Sequence, residues 1–158
     1  MAVLFPQHPH LHIDIQAAYA AHYVPRSQQT RLFEGVEALL QQLQKQDVIL
    51  AVATGKSRAG LDRVLADSGI ADYFSVTRCA SETRSKPHPQ MLQEILAVMD
   101  IAAADAVMVG DTSYDLEMAQ RIAMPRIGVS YGVHSAERLQ QYLPLAVVQD
   151  VAGLSGLF

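Results

Sequence analysis

Five apolar runs of strand length punctuate the chain from residue 48 onward, and they constrain its fold more than any other feature. They are VILAVAT (48–54), the weaker YFSVT (73–77), DAVMVG (105–110), RIGVSY (126–131) and LAVVQD (145–150). Runs without regular polar alternation suit strands covered on both faces, as in a parallel sheet. Apolar residues at helical spacing lie between them. Val36, Leu39, Leu40 and Leu43 mark one helix, and Leu61, Val64 and Leu65 a second, which stops at Gly69. Glycine there suits a left-handed C-cap. Met91, Leu92, Ile95, Leu96 and Met99 mark a third, and Leu116, Ala119, Ile122 and Ala123 a fourth. Alternating strands and helices with short connections predict an α/β fold, a doubly wound parallel sheet with helices on both faces.

The first thirty residues differ. They hold four of the six histidines and three of the seven prolines. Ile15, Ala18, Tyr19 and His22 are spaced for one short helix. His8, His10 and His12 alternate in HPHLH, so an extended backbone would put them on one face, as a transition-metal site requires. The intervening Pro9, with Pro6 just before, favours an irregular segment instead.

Composition excludes several classes. The 158 residues suffice for one domain with a substantial core. A net charge of −4 offers no basic face for nucleic acid. Cys79 is the single cysteine, so no internal disulfide forms, as expected of a reducing cytoplasm. No apolar run approaches the ~20 residues of a membrane span, and the start MAVLFPQHPH lacks the pattern of a signal peptide.

Three loops carry the chemistry. The first is ATGKS (53–57), where a hydroxyl and a glycine follow a strand and precede a helix. Backbone N–H groups and the Thr54 hydroxyl could point at an anion there. The P-loop reading fails, because that motif needs glycine where Leu50 stands. The second is SKPHP (85–89), in which two prolines stiffen the backbone around Lys86. The third is GDTSYD (110–115), with Asp111 directly after an apolar run and a glycine, and Asp115 four residues later. One acid at a helix start is ordinarily a cap or a dipole partner, and Asp115 alone reads that way. Carboxylates at the C-terminal edge of a parallel sheet, where ligands bind, also suit Mg²⁺.

Together, in this order and spacing, Thr54-Gly55, Lys86-Pro87 and Gly110-Asp111-Thr112-x-x-Asp115 resemble the haloacid dehalogenase (HAD) superfamily of hydrolases, in its phosphoglycolate-phosphatase-like branch. TGKSRAGLDRVLADSGIADYF and SKPHPQMLQEIL add local similarity, and the resemblance covers residues 30–158. It implies a Rossmann-like core and a Mg²⁺-dependent phosphohydrolase acting on a small phosphorylated metabolite through an aspartyl-phosphate. By that resemblance Thr54 and Gly55 hold the phosphoryl group. Lys86 neutralises charge on the phosphate and the nucleophile. Asp111 binds Mg²⁺, and Asp115 supports the metal site or orients Lys86. A flavodoxin-like or receiver-like domain would not account for these residues in this order.

One part of the family pattern is absent. Its members begin with a strand ending in D-x-D-G-T, which carries the nucleophile and the general acid/base, and no such motif occurs here. Residues 1–29 are therefore expected to be a remnant of the family's helical cap, and 30–158 the α/β core, incomplete at its central strand. Such a chain is expected to be inactive alone and to bind Mg²⁺ weakly. The alternative is a non-catalytic module that binds phosphate, metal or a protein partner. The strands ending at Thr54 and Gly110 would flank the missing one. Unpaired backbone groups inside a fold are costly (~1–3 kcal/mol each), so the gap is expected to be filled rather than closed by direct pairing. Residues 2–5 (AVLF) could fill it, or a second copy could, making a homodimer.

Overall fold

The computed structural model describes residues 31–158, together with Asp14 and Ala18, both helical. HPHLH, the AVLF run and the rest of the expected N-terminal helix lie outside the described residues. The chain divides into two compact units, Met1–Leu32 and Phe33–Phe158. The second contains every element described below.

Its helices and strands alternate: α1 (Val36–Lys45), β1 (Leu50–Thr54), α2 (Arg58–Ser68), β2 (Phe74–Cys79), α3 (Gln90–Met99), β3 (Met108–Gly110), α4 (Ser113–Gln120), β4 (Arg126–Val129), α5 (Ala136–Gln140), β5 (Ala146–Val148) and α6 (Val151–Ser155). Every strand pair among the described residues is parallel. The α/β fold read from the alternation is the one observed. On β4, Ile127 and Val129 pack with Leu39 and Leu43 of α1 and with Val151 and Leu154 of α6. Gly128 between them lies against Leu139 of α5. Successive strand residues point to opposite faces, so helices cover both sides of the sheet. A second cluster joins Met91 and Leu92 of α3 to Met118 and Ala119 of α4, with Met124.

The helix ends follow local chemistry. Ser57 caps α2 by accepting the Gly60 N–H, and Gly69 closes it at φ 67°. The fourth helix is shorter than its apolar spacing predicts. It ends at Gln120, because Ala123 turns left-handed (φ 54°) and the Met124 N–H closes onto the Ala119 carbonyl. Ile122 and Ala123 therefore lie beyond it.

The sheet is split. Among the described residues β1 pairs only with β2, and β3 only with β4, while β4 continues to β5. The strands ending at Thr54 and Gly110 do not pair with each other. Between them lies an apolar slot of about 590 Å³, walled by residues 48–53 on one side and 105–109 on the other. Helices α1 and α3 contribute leucines to its lining. The slot explains a difference from the sequence reading. Full burial was expected for the VILAVAT and DAVMVG runs, but Val48, Ile49, Val107 and Val109 are exposed and every residue of β1 is half-buried.

Candidate active site

The C-terminal ends of β1 and β3 meet at one side chain. Lys86 donates from Nζ to the Ala53 carbonyl (2.9 Å) and to Asp115 Oδ1 (2.5 Å). Ala53 is the penultimate residue of β1, and Asp115 lies in the first turn after β3. One ammonium thus ties together the two halves of the split sheet. Both partners are largely buried, with side chains 17% and 5% exposed. The peptide from Lys86 to Pro87 is cis.

Both Asp115 oxygens are engaged. Oδ1 takes Lys86, while Oδ2 accepts the Thr112 N–H (3.0 Å) and the Thr112 hydroxyl (2.6 Å). Thr112 in turn accepts the Asp115 N–H, completing a capping box at the start of α4. Gly110 is required for this approach. A Cβ there would stand 2.3 Å from Asp115 Cβ.

Asp111 sits differently. Its Oδ2 accepts the Val133 N–H (3.0 Å), and its carbonyl accepts the His134 N–H (3.0 Å). The loop after β4 thus grips it from the side. A Cβ on Gly132 would stand 2.3 Å from Asp111 Cβ. His134 also accepts the Ser113 N–H at Nδ1 (2.8 Å), and its ring leans on Tyr114. Tyr131, half-buried against Phe33, has its phenol pushed up by burial first, then by the negative charges of Asp150 and Asp111. Asp111 Oδ1 has no hydrogen-bond partner among the described residues.

At the end of β1, the Thr54 hydroxyl accepts the Lys56 N–H (3.2 Å), and the position where a Gly55 side chain would begin is open. Ser57 begins α2 immediately beyond. The result is an open turn with a hydroxyl at the sheet edge.

The structure therefore gathers Thr54, Lys86 and Asp115 around the ends of β1 and β3, with Asp111 at the turn after β3. Sequence reading did not single out Gly132, Val133 and His134, which hold Asp111. Their one visible signal is the YGVH stretch after the RIGVS run, a glycine at the end of another strand on the same sheet edge.

The donor set does not by itself make a Mg²⁺ site. Asp111 has one carboxylate oxygen without a hydrogen-bond partner among the described residues, and Asp115 is committed to Lys86 and Thr112. No group of three or more His, Cys, Asp or Glu among the described residues could hold a metal ion. No described helix is long and apolar enough to cross a membrane.

A split parallel sheet with a lysine, a threonine turn and two acids at its C-terminal edge forms a Rossmann-like α/β core. A profile of the haloacid dehalogenase-like hydrolases matches residues 5–129, and the chain belongs to that family. It is 35% identical over 126 residues to IndB of Dickeya dadantii strain 3937, named a probable phosphatase, covering 79% of this chain and 55% of the relative. It is 32% identical over 124 residues to the phosphoglycolate phosphatase of Pectobacterium atrosepticum, covering 78% and 53%. The chain spans about half the length of these curated relatives. Among solved structures, a protein of Haemophilus somnus 129PT described as a predicted phosphoglycolate phosphatase superposes with a TM-score of 0.79 at 24% identity, covering 87% of this chain and 62% of that one. A predicted phosphatase from Clostridium acetobutylicum superposes at 0.73 with 29% identity, covering 78% and 58%.

Proposed function

We propose that this chain supplies the phosphate-holding side of a HAD-type phosphatase site for a small phosphate monoester. The observation that carries this reading is Lys86, whose ammonium is fixed between the Ala53 carbonyl and Asp115 at the mouth of two parallel strands. Phosphoryl transfer depends mainly on positioning and on neutralising charge. Lys86 would place its charge on phosphate oxygens, with the Thr54 hydroxyl and the open Gly55 turn holding the phosphoryl group. Asp115 orients Lys86 through its own hydrogen bonds. Mg²⁺ would take Asp111 Oδ1 and complete its shell with water and further ligands. When bound, it would offset charge on the phosphate.

Hydrolysis in this class proceeds by attack of a carboxylate oxygen on phosphorus. The P–O ester bond breaks as the carboxylate–phosphorus bond forms, the alcohol leaves with a proton from a general acid, and water then cleaves the aspartyl-phosphate to return the carboxylate and inorganic phosphate. Of the two acids gathered at this edge, Asp115 is tied to Lys86 and Asp111 is turned toward the loop after β4. Neither is placed to attack. Residues 1–29 we read as a remnant of a cap domain, and residues 30–158 as the core.

The chain should therefore bind inorganic phosphate in a Lys86-dependent way while hydrolysing p-nitrophenyl phosphate and phosphoglycolate poorly or not at all. Turnover at ordinary enzyme rates (~1–10³ s⁻¹), abolished by Asp111→Asn, would show that this chain is complete as an enzyme. Phosphate binding unchanged in Lys86→Ala would refute the phosphate-holding role.

A further inference from the structure

The two segments read as holding phosphate leave the sheet side by side. β1 and β2 are parallel neighbours, with Thr54 opposite Cys79 at their ends. The turn after Thr54 holds the open Gly55 position, and the loop after Cys79 leads to Lys86. Two main-chain donors tie these segments together. The Ala80 N–H donates to the Lys56 carbonyl (3.0 Å), and the Arg58 N–H donates to the Ser81 hydroxyl (3.0 Å). Arg58, the first residue of α2, adds a side-chain clamp. Its Nε and Nη2 hold the two Glu82 carboxylate oxygens as a fork (2.8 and 2.7 Å). Nη1 donates to the Thr77 hydroxyl (2.8 Å) and to Asp62 (3.2 Å), and Nη2 donates also to the Thr77 carbonyl (3.3 Å). Glu82 in turn accepts the Cys79 N–H at Oε2 (3.2 Å), which ties it to the end of β2 four residues before Lys86.

We propose that Arg58 and Glu82 are a positioning pair that sets the Lys86 loop against the Thr54–Gly55 turn, so that one phosphate meets both, an inference that rests on the phosphate-holding reading above. A guanidinium has five N–H donors, and here all five have acceptors within the chain, which leaves Arg58 none to offer a substrate. Its work is therefore to hold. A single half-exposed ion pair is ordinarily worth little. A planar fork on a carboxylate fixes direction as well as distance, and an ammonium in its place would not. Lys86 reaches across the end of β1 to the Ala53 carbonyl and to Asp115. A shift of its loop is thus a shift of the ammonium relative to the Thr54 hydroxyl.

The test uses the full chain, with inorganic phosphate as the probe, titrated by calorimetry below the unfolding temperature of every variant. Arg58→Lys keeps the charge and loses the fork, and Glu82→Gln keeps the size and loses one acceptor oxygen. Both, like Arg58→Met, are expected to bind phosphate about tenfold more weakly than the parent. Adding Arg58→Met to Lys86→Ala should change the affinity by less than about twofold, because one anchor alone has no spacing to set. The full loss repeated there overturns the route through Lys86. Unchanged affinity in Arg58→Met, whatever its unfolding midpoint, reduces the pair to a stabilising surface network and overturns the proposal. Tighter binding in Glu82→Gln, or full affinity in Arg58→Lys, makes Arg58 a direct anion contact and overturns it too. A second readout needs no phosphate. Hydrogen exchange of the Lys86 ammonium, followed by nitrogen-15 NMR and assigned by its loss in Lys86→Ala, should quicken about tenfold in Arg58→Met, and an unchanged rate overturns the proposal. Phosphate affinity lost in Lys86→Ala but kept in Arg58→Met leaves the phosphate-holding reading intact and removes only the clamp. Affinity unchanged in Lys86→Ala refutes that reading, and the ammonium exchange then decides by itself whether the pair positions Lys86.

Discussion

Asp115→Ala tests the central pairing of the site. Asp115 is 4% exposed, and its carboxylate accepts three hydrogen bonds, one from Lys86 and two from Thr112. The substitution leaves the Lys86 ammonium, 83% buried by side-chain area, with the Ala53 carbonyl as its one remaining partner among the described residues. Removing one partner of a buried ion pair costs about 3–5 kcal/mol, because the other charge stays buried and uncompensated. Loss of an N-terminal cap costs about 0.5–2 kcal/mol on its own, and the two overlap here because one carboxylate does both jobs. The residual exposure of Lys86 favours the lower end. A loss of about 3–5 kcal/mol is large against the roughly 5–15 kcal/mol of a typical domain. It corresponds to a fall in Tm of roughly 6–20 °C for a chain of this size.

The assay is urea unfolding at neutral pH, with the slope m compared between variants so that a change in midpoint reports stability. Lys86→Met should cost less, because Asp115 keeps both Thr112 bonds. The double variant Lys86→Met with Asp115→Asn should lose less than the sum of its single variants, since neither charge is then stranded. A loss under about 1 kcal/mol in Asp115→Ala at unchanged m, or strict additivity in the cycle, would refute the reasoning.

Gly110→Ala forces a Cβ to within 2.3 Å of Asp115 Cβ, so it should cost about 1–3 kcal/mol by overpacking. Gly55→Ala meets nothing within 4 Å and should stay within about 0.5 kcal/mol of the parent. Equal losses in thermal unfolding would contradict the packing argument. Calorimetric titration with Mg²⁺ should show only weak binding, because among the described residues Asp111 brings one oxygen without a partner, and micromolar affinity would sink that account. The Arg58 guanidinium, hydrogen-bonded to Glu82, holds the Glu82 carboxyl down to about 2 from its ordinary 4.5. A carboxylate depressed in the folded state stabilises above its unfolded pKa, and that contribution is lost as pH falls through the folded value. Acid unfolding of the parent and of Glu82→Gln should therefore differ above pH 4.5 and converge toward pH 2.

Strands and long helices were legible for a physical reason. Parallel strands between two helical layers must be apolar on both faces, and α1 and α3 each run ten residues, long enough to show their period. Helices α5 and α6 have five residues each and were not seen, since one turn of helix has no period to read. The exposure of β1 and β3 was also hidden. Burial depends on what stands beside a strand, and an apolar run is the same string of letters beside a neighbour or beside a slot. The grip on Asp111 was invisible for a third reason. It is made by the backbone N–H groups of Val133 and His134, which every residue but proline possesses.

Asp111 and Asp115 show how far spacing alone can carry a site. Two acids four residues apart after a strand read equally as a pair of metal ligands or as one ligand and one helix cap. What separates these readings is the order Thr112-x-x-Asp115, the spacing of a capping box. Once Thr112 takes the cap position, Asp115 falls at the third helical residue, where one oxygen turns back to Thr112. The other is then left facing Lys86 across the sheet edge. Capping and charge placement are thus one arrangement rather than competing ones. The helix start fixes the carboxylate, and the carboxylate fixes the ammonium. Asp111 stands outside that network, and the oxygen that Val133 does not hold has no hydrogen-bond partner among the described residues.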